Sequence, residues 1–120
     1  MDLNASYEGV WQYYEKTLSK LKAYGAKIVR IDAFAYLHKA IGATNFFNTP
    51  GTWEYLDRLK THAADLDMTL LPEIHAQYGK HLHDQVSEHG FPIYDFFLPG
   101  LIIHTLEAQD KEPLLKWANE

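Results

Sequence analysis

Three acids stand on short apolar stretches of this 120-residue chain: Asp32 after Lys27-Ile-Val-Arg-Ile31, Glu73 after Met68-Thr-Leu-Leu-Pro72, and Asp95 within Phe91–Phe97. A carboxylate ending an apolar strand is costly to bury unless it is paired or solvated. Two of them on consecutive strands make a candidate acid/base pair, since glycosyl transfer needs one carboxylate to attack carbon and another to handle a proton. Arg30 lies two residues before Asp32, so on a strand both side chains project from one face. Its guanidinium can hydrogen-bond the carboxylate, hold its rotamer and favour its ionised form, as a nucleophile requires. Glu73 has Leu70, Leu71, Pro72 and Ile74 for neighbours. Burial against them favours the protonated form that a general acid needs. A purely structural alternative fits the same spacing: an Arg–Asp pair tying neighbouring strands, with Glu73 a solvated strand end. Asp95 reads as structural rather than catalytic.

The elements that must position these acids follow from periodicity. Val10, Trp11, Tyr14, Leu18 and Leu21 recur at helical spacing, and Gly25 ends that helix. A strand over Lys27–Ala33 follows, then an irregular stretch from His38 to Asn48. Thr49-Pro50 opens a second helix, with Trp53, Leu56, Leu59, Ala63 and Leu66 as its buried stripe. Met68–Ile74 is a second strand, with Pro72 near its end. Gly79–Glu88 is a weaker helix stopped by Gly90, Phe91–Phe97 a third strand, and Leu101–Glu107 a further helix. Asp110 caps a last short helix ending near Trp117. The order α-β-α-β-α-β-α implies an α/β fold with three parallel strands joined by helical crossovers, as one domain over residues 1–120. An open doubly wound sheet and part of a (β/α)8 (TIM) barrel both satisfy it. In either, functional groups gather at the C-terminal ends of the strands.

Composition excludes several classes. A net charge of −5 with scattered Lys and Arg gives no nucleic-acid surface. The longest apolar run, Leu98–Ile103, is interrupted by Pro99 and Gly100 and far short of a membrane span. No basic, apolar leader is seen, so secretion is not expected; the lack of cysteine fits a cytoplasmic protein. Seven histidines invite a metal reading. His81 and His83 are two apart on a predicted helix and face different ways, so no metal is expected. His38, His62, His89 and His104 read as ordinary surface or helix residues. Trp11, Trp53 and Trp117 read as core rather than sugar platforms. The glycines form no phosphate cradle.

Ile28-Val-Arg-Ile-Asp-Ala-Phe-Ala-Tyr36 and Leu70-Leu-Pro-Glu-Ile-His-Ala-Gln-Tyr78 resemble the nucleophile and acid/base strands of the α-amylase superfamily. Ala-Phe-Ala-Tyr after the aspartate, Pro-Glu-Ile-His around the glutamate and Tyr94-Asp-Phe-Phe-Leu-Pro99 are more closely similar to the sucrose phosphorylase family. Asp2-Leu-Asn4 is similar to the tail of a further superfamily motif. The resemblance covers essentially the whole chain, and implies a central segment of the catalytic (β/α)8 barrel, from its third helix through its sixth strand and helix. It implies that Asp32 attacks the anomeric carbon of a sucrose-like glucoside to form a covalent β-glucosyl enzyme. Glu73 then protonates the leaving oxygen and assists phosphate, giving α-glucose 1-phosphate. Arg30 orients Asp32, and Tyr36 and His75 border the acceptor site. The implied partners are the sugar and phosphate, with no metal or organic cofactor.

The family also uses a third carboxylate, an aspartate following a histidine on the seventh strand. The only His-Asp pair here, His83-Asp84, falls in a predicted helix and is not assigned that role. Met1 looks like an added start, and the chain reads as an excised or truncated piece without phosphorylase activity of its own. Alternatives are an amylase- or sucrase-type segment using water, a non-catalytic half-barrel module that self-associates through its open edges, and a standalone domain of receiver type. The last lacks the acidic pair expected at the end of its first strand.

Overall fold

A computed structural model describes residues 3–76 and 80–119. Helix α1 (Glu8–Ala23) buries Val10, Trp11 and Leu18. It ends in a Schellman turn at Gly25 (φ 91°), where Ala26 N–H donates to Leu21 O and Gly25 N–H to Lys22 O. Strand β1 (Ile28–Ile31) follows at once. A short 3-10 turn, Phe34–Tyr36, then turns the chain inward and buries Phe34 and Ala35.

Helix α2 (Gly51–Asp65) buries Leu56, Leu59 and Ala63 of the expected stripe, together with Thr52. A second Schellman turn ends it, with Asp67 in the left-handed position at φ 52°. Strand β2 (Thr69–Pro72) runs parallel to β1. Helix α3 (Leu82–Glu88) is shorter than expected, and Gly79, its anticipated start, lies outside the described residues. Gly90 at φ 76° stops it. Helices α4 (Leu98–Ala108) and α5 (Glu112–Asn119) pack on each other. Pro99 falls in the first turn of α4, where its missing N–H has no intrahelical partner to lose.

The expected third strand is not found: among the described residues the sheet has two strands, in the order β1-β2. Two local causes act against a ladder over Phe91–Phe97. Pro92 has no N–H to give, and the Asp95 carboxylate takes the amides of Phe97 and Leu98 at 2.7 and 2.9 Å. His38, expected as an ordinary surface or helix residue, is instead half-buried in the loop that precedes α2. Its ring stands against Tyr55, its Nδ1 is shut off from solvent, and a Cβ on Gly51 would collide with it.

The core lies between α1, the 3-10 turn, α2 and β2, with Val86 and Phe91 sealing one end. Arg58 of α2 ties that helix to α1, donating through Nη1 and Nη2 to the two Glu8 carboxylate oxygens at 3.1 and 2.6 Å and lying over the Trp11 ring. Elsewhere apolar surface is uncovered: α4 buries no residue, and its Ile103 and Leu106 are 56% and 74% exposed. The radius of gyration is 17.1 Å, against roughly 14 Å for a compact domain of this length. Leu56, with no exposed surface, is the most enclosed aliphatic residue of α2. Leu56→Ala is expected to lower unfolding stability by about 3 kcal/mol in urea denaturation followed by circular dichroism. A loss below about 1 kcal/mol would mean that this core is not formed in solution.

Candidate active site

The parallel register sets the site. Ile28 faces Thr69, Val29 faces Leu70, Arg30 faces Leu71 and Ile31 faces Pro72. One further step of the same register brings Asp32 beside Glu73, and the Glu73 N–H donates to Ile31 O at 2.9 Å. Faces alternate along a strand, so Arg30 and Asp32 share a side, as do Leu71 and Glu73.

Arg30 joins the two acids. Its Nη2 lies 3.0 Å from Asp32 Oδ2 and 2.8 Å from Glu73 Oε2. The first contact is an aligned hydrogen bond. The second is a close ion pair without that alignment, so the enclosed Glu73 Oε2 makes no aligned hydrogen bond among the described residues. The charge of Glu73 is the largest influence on Arg30. Together with the hydrogen bond and charge of Asp32 and a contribution from Tyr94, it outweighs burial and holds the guanidinium above its ordinary pKa. The acids differ in setting: the Asp32 side chain is 71% exposed and that of Glu73 23%. One is open to an incoming molecule, while the other is set back in the wall.

Asp32, Glu73, Tyr36 and His75 line a single cleft of about 140 Å³ with Ala33, Ala35 and Phe46. Four of the five site residues expected from sequence therefore meet in one place, and the fifth, Arg30, bridges its two acids. Ala33, left-handed at φ 52°, turns the chain straight after β1, so that Tyr36 comes back to the same cleft. The Tyr36 ring meets Phe46 edge-on at 5.3 Å, and the His75 ring meets Phe96 at 4.6 Å. Aromatic walls around two acids and a cation make a site that can hold a polar, ring-shaped molecule and act on it through nucleophile and proton carrier.

Asp95 is outside this cleft and caps α4. Burial pushes its pKa up, but the Leu98 and Phe97 amides, Trp117 and the charge of His83 outweigh that and hold it low. His83 and Asp84 sit on α3 rather than on a strand, and neither lines the cleft of Asp32 and Glu73. His81 corrects the expectation that it faces away from His83. It precedes α3 in a left-handed conformation, so helical spacing does not apply, and both rings reach Asp84, at 2.7 and 3.2 Å. Among the described residues no group of three His, Asp or Glu is placed to hold a metal ion. No helix among them is long and apolar enough to cross a membrane. Trp11 is buried and Trp53 stacks on His89, but Trp117 stands apart from the main core. Phe46 lines the cleft although no sequence feature assigned it a role, and Phe96 and Tyr94 belong to the Tyr94–Pro99 motif, to which no site role was attached. The signal for Phe46 was an aromatic pair, Phe46-Phe47, in a loop otherwise rich in Gly, Ala and Asn.

No protein-family model matches the chain. Over all 120 residues it is 55% identical to a sucrose 6(F)-phosphate phosphorylase of Ilumatobacter coccineus, covering 23% of that protein. Over 117 residues it is 32% identical to a sucrose phosphorylase of Streptococcus mutans, covering 24% of it. The crystal structure of the sucrose 6F-phosphate phosphorylase from Thermoanaerobacter thermosaccharolyticum superposes with a TM-score of 0.92 at 34% identity. That match spans 99% of this chain and 24% of the other. The chain thus spans about a quarter of the length of the relatives it matches.

Proposed function

Since the chain is homologous along its whole length to a segment of the sucrose phosphorylase family, we propose that it supplies the two reacting acids of a retaining glucoside phosphorylase. In this reading it forms the stretch of the (β/α)8 barrel from the third helix through the sixth strand and helix, and further chain completes the barrel. The substrate is sucrose or its 6F-phosphate. Asp32 attacks the anomeric carbon as the bond to the fructosyl oxygen breaks, and Glu73 gives that oxygen its proton. The ionised Glu73 then takes a proton from phosphate as a phosphate oxygen displaces Asp32. Two inversions leave the configuration unchanged, and the product is α-glucose 1-phosphate. Arg30 orients Asp32, and Tyr36 and His75 border the side where fructose leaves and phosphate enters.

The single observation that carries this reading is the shared contact of both acids with one nitrogen of Arg30. The nearest carboxylate oxygens can be no farther apart than those two contacts laid end to end. That upper limit is short of the roughly 6.5–9.5 Å that leaves room for an inverting water. The open apolar surface of α4, and a sheet that among the described residues has two strands and unpaired edges, support a second part of the proposal: alone, the chain self-associates and does not turn over substrate.

The test compares the isolated chain with a completed barrel, in which this chain replaces its 55%-identical counterpart in the Ilumatobacter coccineus protein. The completed barrel is expected to form α-glucose 1-phosphate from sucrose or sucrose 6F-phosphate and phosphate. The isolated chain is expected to form none, and to elute as a dimer or larger in size-exclusion chromatography with light scattering. Release of free glucose alone by the completed barrel would refute phosphorolysis. Turnover by the isolated chain, or a stable monomer, would refute the second part.

A further inference from the structure

One wall of the cleft depends on a turn of unusual backbone conformation. Phe46 and Phe47 are adjacent in sequence yet serve different places. Phe46 lines the cleft against Tyr36, whereas Phe47 packs edge-on against Phe34 at 6.0 Å and Trp53 at 5.1 Å. Phe47 achieves this at φ 53°, a left-handed conformation that bulky side chains rarely adopt and that persists only where surroundings hold it.

Those surroundings converge on Asn48. Its Nδ2 donates to Thr44 O at 2.6 Å and to His38 O at 3.1 Å, closing the loop on both sides. Thr44 Oγ1 lies 3.2 Å from Phe46 O and 3.3 Å from Asn48 Oδ1, with one proton to give between them. The Asn48 carbonyl accepts from both N–H and Oγ1 of the buried Thr52, at 2.8 and 2.9 Å, which anchors the turn to α2. Phe47 N–H donates to Ala35 O at 2.7 Å, joining the turn to the residue before Tyr36. Three of these seven contacts run through the Asn48 side-chain amide, which closes the turn on Thr44 and His38 and does not itself line the cleft.

We propose that Asn48 is a positioning residue for substrate binding, clamping the 44–48 turn so that Phe46 stands opposite Tyr36 at the cleft mouth. The proposal rests on the reading of Asp32 and Glu73 as the reacting acids. Asn48 acts on how the sugar is held rather than on bond breaking, so its loss should appear in KM and not in kcat.

Asn48→Asp keeps the size and the acceptor oxygen but removes both N–H donors, setting a carboxylate against the carbonyls of Thr44 and His38. In the completed barrel it is expected to raise the KM for sugar about tenfold with kcat within about threefold. Phe46→Ala should give a similar rise, and the double variant should be no worse than Phe46→Ala alone, since one acts through the other. Thr44→Val, which removes only the hydroxyl contacts, should give a smaller KM rise of about threefold and guards against a folding defect in Asn48→Asp. An unchanged KM in Asn48→Asp, multiplying effects in the double variant, or a fall in kcat as large as the rise in KM would each overturn the clamp. Asp32→Asn, assayed alongside, separates the two levels. If it is inactive while Asn48→Asp behaves as the parent, only the clamp fails; if it keeps full turnover, the underlying reading fails and the clamp with it.

Discussion

Replacing Asp32 by asparagine in the completed barrel is expected to lower kcat for phosphorolysis by about 10⁴-fold or more, with the protein folded and sugar binding largely kept. The amide matches the carboxylate in shape but cannot form the glucosyl ester, so the route loses its covalent intermediate. The ion pair with Arg30 goes too, yet Arg30 retains Glu73 at 2.8 Å, so the local fold keeps one of its two anchors. Loss of activity alone would not separate a nucleophile from a structural residue, and a second variant does so. Asp32→Gly opens space on the attacking face, where azide can take the place of the missing oxygen. Azide should then restore donor cleavage and yield a β-glucosyl azide, the product of a single inversion. Residual kcat above about a tenth of the parent in Asp32→Asn would remove Asp32 from the chemistry.

Glu73→Gln should cost nearly as much with sucrose, about 10³-fold in kcat, because the fructosyl oxygen would leave without a proton. Its signature is selective rescue. A glucosyl donor whose leaving group needs no proton, such as α-glucosyl fluoride, should form the glucosyl enzyme at close to the parent rate. Capture by phosphate then stays slow, since the substituted amide has no base to offer, whereas azide, which needs none, should be turned over. Burst kinetics with the fluoride read both steps. Equal losses with sucrose and the fluoride would place Glu73 in binding rather than proton transfer. Glu73 is less exposed than Asp32 and stands 2.8 Å from Arg30, set back in the wall of the cleft.

Much of this was legible in the order of residues. The stripes of α1 and α2 follow from period 3.6, and the two short strands from apolar stretches bounded by helix stops. Arg30 and Asp32 sharing a face is a property of any strand, so that pair needed no tertiary information. The expected third strand failed because Phe91–Phe97 has the composition of a strand while Pro92 and Asp95 divert its amides. His81 was misread because a left-handed residue before α3 breaks the helical spacing on which the reading relied.

Sequence by itself determined which residue types stand at each strand end, and that one acid has a cation two positions away. Such features are local, governed by backbone periodicity and near neighbours. Only the tertiary structure decided that Arg30 also reaches Glu73, because a register linking residues 41 apart depends on how α2, the crossover from one strand to the next, packs on the sheet. The arrival of Phe46 beside Tyr36 was decided in the same way, by hydrogen bonds that close a loop with no period to read.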